Sequence, residues 1–178
     1  RQRAESVSAT LAQLASRFVR LRLAEDFLKK QVERFREENQ GPFLNLAGDF
    51  FKIMTLGAFE GISTSLTETD SLIMTGRRGG GVDVPVEGMS DGTRDQLYLA
   101  LRLAAISQHL DSHQPMPLIL DDLLVTFDNE RTKAVLPILS DLSARTQVLL
   151  FTHHPHVVQL CKETLRDGTF GLPDISAA

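Results

Sequence analysis

The chain has 178 residues, 42% hydrophobic and 24% charged, which is enough to bury the core of one domain or lobe and excludes a disordered chain. No apolar run approaches the ~20 residues of a membrane-spanning helix, and the single cysteine, Cys161, excludes an internal disulfide and fits a reducing, cytoplasmic compartment. The net charge of −4 excludes a globally basic nucleic-acid binder, although residues 1–40 carry nine Lys and Arg against six Asp and Glu and form a candidate basic arm.

Residues 1–40 are predicted to form one long helix with an apolar seam. Apolar residues recur at alternating spacings of four and three, with Glu25 as the one break in the series. The seam consists of Val7, Leu11, Leu14, Phe18, Leu21, Leu28, Val32 and Phe35. This spacing favours a coiled coil with a partner helix, and a single amphipathic helix on a globular core is the alternative. Gly41 and Pro42 are predicted to end the helix.

A shorter helix is predicted next, from residue 43 to about residue 54, followed by a β segment. Residues 59–86 alternate apolar and polar side chains, which predicts antiparallel strands joined by the turn Arg77-Arg78-Gly79-Gly80-Gly81. The turn lacks the Gly-Lys-Ser/Thr ending of a phosphate loop, so a hairpin turn is expected. Pro85 predicts that the last strand lies at an edge of this sheet.

From residue 90 onward the pattern is that of an α/β fold. The predicted strands are short, continuous apolar runs, and the predicted long helix that precedes them has a wide apolar surface. The predicted elements are a helix over 90 to about 109, a strand over 118–120, a helix over 129–143 with a kink at Pro137, a strand over 148–151 and a helix from 155 to about 163. Strand, helix and strand at this spacing form a βαβ unit with a parallel sheet.

Two of these strands end in residues with useful chemistry. Asp121 and Asp122 follow the first strand, and Thr152 and His153 follow the second. Ligands of open α/β sheets bind beyond the carboxyl ends of the strands. There, one carboxylate suits the water shell of Mg²⁺, and the other can orient or deprotonate an attacking water. A plain turn is the alternative, since turns are rich in Asp.

The start of the long helix is a second candidate site. The segment Met89-Ser90-Asp91-Gly92-Thr93 places a hydroxyl, a glycine and backbone N–H groups at the positive end of the helix, where anions bind. Ordinary N-capping by Ser90 is the alternative.

A histidine-rich segment raises the question of zinc. His153, His154 and His156 are followed by Cys161, and these are ligand types that zinc prefers. Adjacent histidines seldom converge on one metal and the sequence has no second Cys/His pair, so His154 and His156 are expected to be exposed loop or helix-start residues.

Taken in order, these segments resemble the motifs of ABC ATPases. Residues 89–93 resemble the signature motif, 118–122 the Walker B strand, 125–128 the D-loop and 151–153 the switch-histidine segment. Because a heptad helix runs directly into them, the chain resembles the C-terminal head lobe of SMC-like and SbcC-like ATPases. The amino-acid sequence of residues 90–102 and 121–124 is most similar to that of YhaN-like bacterial ATPases.

The resemblance implies the C-terminal lobe of a P-loop NTPase head that binds ATP and Mg²⁺. Residues 1–40 would be the coiled-coil base of an arm, and residues 41–178 the ATPase lobe. Asp121 would hold Mg²⁺ through water, Asp122 would activate the attacking water, and His153 would contact the γ-phosphate. The residues implied to bind nucleotide across a head-to-head homodimer are Ser90, Asp91, Gly92, Thr93 and Asp128.

The sequence contains no Walker A motif, Gly-x-x-x-x-Gly-Lys-Ser/Thr. The resemblance therefore implies a separate N-terminal lobe that carries it. Since the chain begins at Arg1, we expect a fragment that binds ATP poorly alone. The implied role is DNA repair or processing, with DNA and a nuclease subunit as further partners. For the basic residues of the arm, DNA contact and a solvated coiled-coil surface are both open.

Two positions depart from the family pattern. Asp122 stands where Glu is usual, and its side chain is one methylene shorter. Asp91 stands where Gly is usual, and its carboxylate would repel a nearby triphosphate unless it points away or pairs with Arg94. An ATP-gated dimerisation clamp with vestigial hydrolysis is therefore the alternative function. A transporter nucleotide-binding domain is disfavoured by the heptad helix and the missing Walker A.

Overall fold

The structure, a computed structural model, describes residues 2–66 and 72–173. Its helices and strands, in chain order, are α1 (Gln2–Met54), β1 (Gly61–Leu66), β2 (Leu72–Arg78), β3 (Val82–Pro85), a 3-10 turn (Val86–Gly88), α2 (Asp91–Ser112), β4 (Leu118–Asp121), α3 (Asn129–Ser143), β5 (Val148–Phe151) and α4 (Pro155–Thr164). The chain divides into two compact units, Arg1–Pro42 and Phe43–Ala178. None of the helices in the described ranges has a stretch long and apolar enough to cross a bilayer.

The first helix does not end at Gly41 and Pro42 as predicted. It continues to Met54, and the predicted second helix is its final part. A proline inside a helix removes one hydrogen bond and costs ~3 kcal/mol. Beyond it, however, α1 buries Ala47 and Phe51 completely, and a large apolar side chain contributes about 1.5–3 kcal/mol when it is buried. Burial of this face favours helix after Pro42, and α1 is also helical before it, so Pro42 removes one hydrogen bond without ending the helix.

The predicted heptad seam is exposed to solvent wherever its side chains are described. The exposed fractions of the five described members lie between 41% and 64%: Leu14, Phe18, Leu21, Leu28 and Val32. The side chains of Val7, Leu11 and Phe35 lie outside the described set. The exposed surface is apolar and fits a partner helix, but a coiled coil stays a prediction.

The antiparallel β segment is confirmed. Its three strands lie in the order β1-β2-β3, and β3 pairs antiparallel with β2 through Thr75 opposite Pro85. Pro85 is thus on an edge strand, as predicted. Gly80 and Gly81 have φ angles of 83° and 78°, which glycine adopts without strain, so the glycine run forms a hairpin turn rather than a phosphate loop.

The end of α1 packs closely on this sheet because one helix position lacks a side chain. A Cβ atom on Gly48 would lie 3.1 Å from the backbone nitrogen of Ile62 and 3.2 Å from the Cα atom of Gly61. These are backbone atoms, which cannot rotate away. Gly48 therefore sets the distance between α1 and β1.

The predicted βαβ unit is also confirmed, and the chain is a mixed α/β fold. Strands β4 and β5 are parallel, with Leu120 opposite Leu150, and α3 connects them. Leu120 is buried, but Ile119 is 63% exposed, whereas an interior strand was expected. Parallel sheets are ordinarily covered on both faces and have more strands. Within the described residues this sheet has only these two strands.

Candidate functional site

The carboxyl ends of β4 and β5 lie side by side. Asp121 is the last residue of β4 and is in register with Phe151, the last residue of β5. The backbone N–H of Asp122 donates a hydrogen bond of 3.0 Å to the carbonyl oxygen of Phe151. The polar residues that follow the two strands are therefore brought to one edge of the sheet.

Asp122 and His153 form a close pair at this edge. The Oδ2 atom of Asp122 lies 2.6 Å from Nδ1 of His153, and the backbone N–H of His153 donates to Oδ1 of Asp122 at 3.4 Å. Asp122 has a φ angle of 42°, in the left-handed region that few residues other than glycine adopt. Such outliers are concentrated at functional sites, where the surrounding structure holds them in place.

The surroundings of Asp122 keep it ionised. Desolvation by itself raises the pKa of this carboxyl, but hydrogen bonds from the side chains of Thr152 and His153 outweigh it, so the pKa is lowered below its usual value. Asp122 is therefore a carboxylate at neutral pH. A carboxylate held by an imidazole can orient a water molecule and accept its proton.

An open cavity of about 890 Å³ lies over this edge. Asp121, Asp122, Thr152 and His153 line it together with Lys162 from α4. The amino-terminal end of α4 also faces the cavity, through Pro155. A lysine and a helix N-terminus favour anions, and the two carboxylates favour a hard divalent cation. The donor set thus fits Mg²⁺ together with a phosphate.

Sequence reasoning did not identify Lys162 or Gln159, which also lines the cavity. The signal was present in the spacing of Pro155, Val158, Gln159 and Lys162, which lie three and four residues apart and so share one face of α4. What could not be seen was that this face turns toward the tips of β4 and β5.

At the start of α2, Ser90 acts as an N-cap. Its Oγ atom accepts from the backbone N–H of Thr93 at 3.4 Å and lies 2.8 Å from the Thr93 hydroxyl. Asp91 is paired with Arg94, and its side chain is 90% exposed. Ser90 therefore caps α2, and the carboxylate at position 91 is partly neutralised by its own helix.

Gly92 lies next to the predicted D-loop. The nearest atom to a Cβ at this position would be the carbonyl oxygen of Thr126, at 3.8 Å. This is ordinary contact, so nothing in the described chain requires a glycine here. Asp128 accepts a hydrogen bond of 2.8 Å from the backbone N–H of Arg131 and caps α3. Ser90, Gly92 and Asp128 are not among the described residues that line the Asp122 cavity.

Cys161 is separate from the histidines that precede it. It is buried and lines a different cavity, formed by α3, β5 and α4. Burial raises the pKa of its thiol, which disfavours the thiolate that a metal requires. His156 is exposed at the start of α4, as expected, whereas His154, at the N-cap of that helix, is half-buried.

No family model matches this chain. An uncharacterised protein of Bacillus subtilis (strain 168), YhaN, is 38% identical over 145 residues, which are 80% of this chain and 14% of YhaN. The chain thus spans about a seventh of the length of that relative.

Solved structures with a similar fold are head domains of SMC proteins. One comes from work on ATP-driven dimerization and DNA stimulated activation of SMC ATPases. The match covers 76% of this chain and 84% of the chain in that structure, with a TM-score of 0.55 and 16% sequence identity. Another is the Smc head domain of Pyrococcus furiosus with an extended coiled coil, bound to the C-terminal domain of ScpA. This match covers 76% of this chain and 34% of the chain in that structure, with a TM-score of 0.53 and 15% sequence identity. At these identities the likeness shows the fold.

Proposed function

We propose that this chain is the C-terminal lobe of an SMC-like ATPase head, which binds and hydrolyses ATP once it is joined to a lobe that carries Walker A. The observation that carries the proposal is the Asp122–His153 pair, 2.6 Å apart beside Asp121 at the tips of two parallel strands. The SMC head fold supports placing ATP at that edge.

The incomplete parallel sheet supports the need for a second lobe. In the described residues β4 and β5 pair only with each other, and Ile119 and Phe151 are exposed on them. Additional strands would bury these side chains and satisfy the outer strand edges. We expect the lobe with Walker A to supply those strands together with the lysine that grips the phosphates.

In the proposed reaction, the residues of this chain act by position and charge. Mg²⁺, when bound, would neutralise charge on the phosphates. Asp121 would hold that ion's water ligands, and Asp122 would orient the attacking water and accept its proton. His153 would fix the carboxylate of Asp122 and contact the γ-phosphate. Lys162, on the cavity wall, would add positive charge toward the phosphates.

The start of α2 is proposed to act on a second head. Ser90, Gly92 and Thr93 present the positive end of a 22-residue helix, and Gly92 leaves its backbone uncovered. A symmetric dimer would place this surface on the partner's ATP, with Asp128 at the contact between the two sites. The Asp91–Arg94 pair reduces the repulsion that Asp91 would otherwise exert on phosphate. Further partners implied by the family resemblance are DNA and a nuclease subunit, in DNA repair or processing.

Measuring ATP turnover with the Walker A lobe present tests the proposal. We expect Asp122→Asn to reduce turnover by about 100-fold, since a positioned base contributes 10²–10⁴-fold. Asp167→Asn is the matched control, because it makes the same change at an exposed carboxylate outside the cavity. An unchanged rate in Asp122→Asn would show that this residue does not activate water.

A clamp without efficient hydrolysis is the second candidate, favoured by the shorter carboxylate at position 122. Both functions predict an ATP-dependent dimer in analytical ultracentrifugation, so the turnover rate of the wild type compared with Asp122→Asn distinguishes them. A clamp dimerises with ATP but has the same slow turnover in the wild type and in Asp122→Asn.

A further inference from the structure

The tertiary structure brings two imidazoles to the carboxylate of Asp122. Ligand atoms of Asp122, His153 and His154 all lie within 4.8 Å of one another. The rings of His153 and His154 have centroids 3.9 Å apart. Asp122 belongs to the end of a different strand, so this set is invisible in the histidine segment alone.

We propose that Asp122, His153 and His154 bind a first-row transition-metal ion of the Zn²⁺ class. One carboxylate and two imidazoles form a donor set of catalytic zinc sites, with positions left open for water or another ligand. Mg²⁺ prefers oxygen ligands and water, whereas imidazole nitrogens favour zinc and its neighbours in the transition series. The ligand chemistry of this cluster therefore differs from that of the carboxylates proposed for Mg²⁺.

Hydrogen bonds fix the backbone around the cluster, whereas the side chains of Asp122, His153 and His154 can rotate. The N–H of Asp122 is bonded to Phe151, and the N–H of His154 donates to the Thr152 hydroxyl at 3.2 Å. His153 is exposed, and the other two ligands are half-buried. Metal–ligand bonds of about 2.0–2.1 Å place the ligand atoms of a tetrahedral site about 3.3 Å apart. The spacings of up to 4.8 Å must therefore shorten, and the 2.6 Å contact between Asp122 and His153 must open. Rotation of the three side chains, of which His153 is exposed, supplies these movements.

A metal ion at this position would have a consequence that rests on the proposed function. It would occupy both Asp122 and His153, the residues proposed to act on water and on the γ-phosphate. Zn²⁺ would then inhibit ATP turnover in a manner that added Mg²⁺ does not readily reverse.

Titration of this chain with Co²⁺, followed by displacement with Zn²⁺, tests the site in the absence of nucleotide. Bound Co²⁺ is expected to give visible d–d absorption bands that Zn²⁺ removes. We expect His154→Ala to weaken Co²⁺ binding at least tenfold, since even residues outside the ligand set change metal affinity by about 10–100-fold. Asp122→Asn should weaken it similarly while it preserves the shape of the side chain.

Two histidine variants are matched controls. His156→Ala removes the neighbouring imidazole that is not in the ligand set. His109→Ala removes one member of the stacked pair His109–His113 at the C-terminal end of α2, where the ring centroids lie 4.3 Å apart. This pair is the other place in the described chain where imidazoles meet. Both are expected to bind Co²⁺ as the wild type does, with circular dichroism confirming that each variant is folded.

The absence of d–d bands in the wild type would overturn the metal site, as would unchanged affinity in His154→Ala or loss of binding in His109→Ala. The titration contains no ATP, so its failure leaves the proposed ATPase function untouched. Conversely, a chain that binds Co²⁺ as expected but shows no turnover with the Walker A lobe would support the metal site and contradict the ATPase.

Discussion

At the residue scale, the geometry around Asp122 bears on the proposed role of this residue as the base. In the ATPases that the sequence resembles, Glu is usual at this position and is one methylene longer. Here the backbone is left-handed at Asp122, and His153 bonds both of its carboxylate oxygens. A carboxylate fixed in this manner needs no reorganisation before it meets a water molecule. The backbone conformation and these two hydrogen bonds support the proposal that Asp122 acts as the base.

Gly92 gives a residue-scale prediction. A methyl group at this position meets no atom closer than 3.8 Å, so Gly92→Ala should fold and be as stable as the wild type or slightly more stable. If α2 caps the phosphate of a second head, the same methyl group would block that approach. We expect ATP-dependent dimerisation with the Walker A lobe present to fall at least tenfold, measured by analytical ultracentrifugation.

Gln108→Ala is the control for this variant, because Gln108 is an exposed residue near the other end of the same helix. Normal dimerisation in Gly92→Ala would mean that the start of α2 does not contact the partner's nucleotide.

At the element scale, α1 shows that local stop signals do not by themselves end a helix. Gly41 and Pro42 are strong stop signals, yet α1 is helical on both sides of them, and the part that follows carries a face that packs into the core. The same continuation depends on Gly48, where α1 approaches the backbone of β1.

Gly48→Ala is therefore expected to destabilise the fold. Alanine is the better helix former by about 1 kcal/mol, but its Cβ would lie 3.1 Å from the Ile62 nitrogen. Forcing a methyl group against fixed backbone costs about 1–3 kcal/mol, so we expect a lower free energy of unfolding in urea titrations.

Gly41→Ala is the matched control, since this glycine lies in the same helix with no atom within 4 Å of the added methyl group. It should be neutral or stabilising. If both variants were equally stable, α1 would not be held against β1 in the manner described.

At the scale of the whole molecule, charge is distributed unevenly along the chain. Residues 1–40 sum to +3, from nine basic and six acidic residues, and residues 41–178 sum to −7, from ten and seventeen. Glu25 pairs with Arg22 and Lys29 and neutralises part of the arm. A net charge of +3 attracts DNA phosphates, and contacts to phosphates carry no sequence preference.

We expect DNA to bind the arm and to stimulate ATP turnover with the Walker A lobe present. Replacing Arg17, Arg20 and Lys30 by Glu should weaken binding and lower the slope of log affinity against log salt, by about 0.9 for each DNA phosphate that the arm no longer neutralises. Fluorescence anisotropy over a salt series measures both quantities.

Arg166→Glu is the control, because it changes an exposed charge in the other compact unit. A salt slope near zero in the wild type, together with no stimulation by DNA, would contradict the DNA role.

Periodicity and local chemistry in the sequence were sufficient to determine most of the elements and the order of the candidate motifs. Period two indicated β1 to β3, the apolar runs indicated β4 and β5, and the polar residues directly after them indicated Asp121, Asp122 and His153. These features are readable because each depends on residues that are near one another in the chain.

The βαβ pattern already predicted that Asp122 and His153, 31 positions apart, lie at one edge of the sheet. Only the tertiary structure decided the details of that edge: the 2.6 Å contact between the two side chains, and the approach of Lys162, which depends on the packing of α4. It also decided that α1 is continuous through Pro42. Local sequence specifies what a segment prefers, but the free energy of burial, which is summed over the whole fold, determines where that preference is overridden.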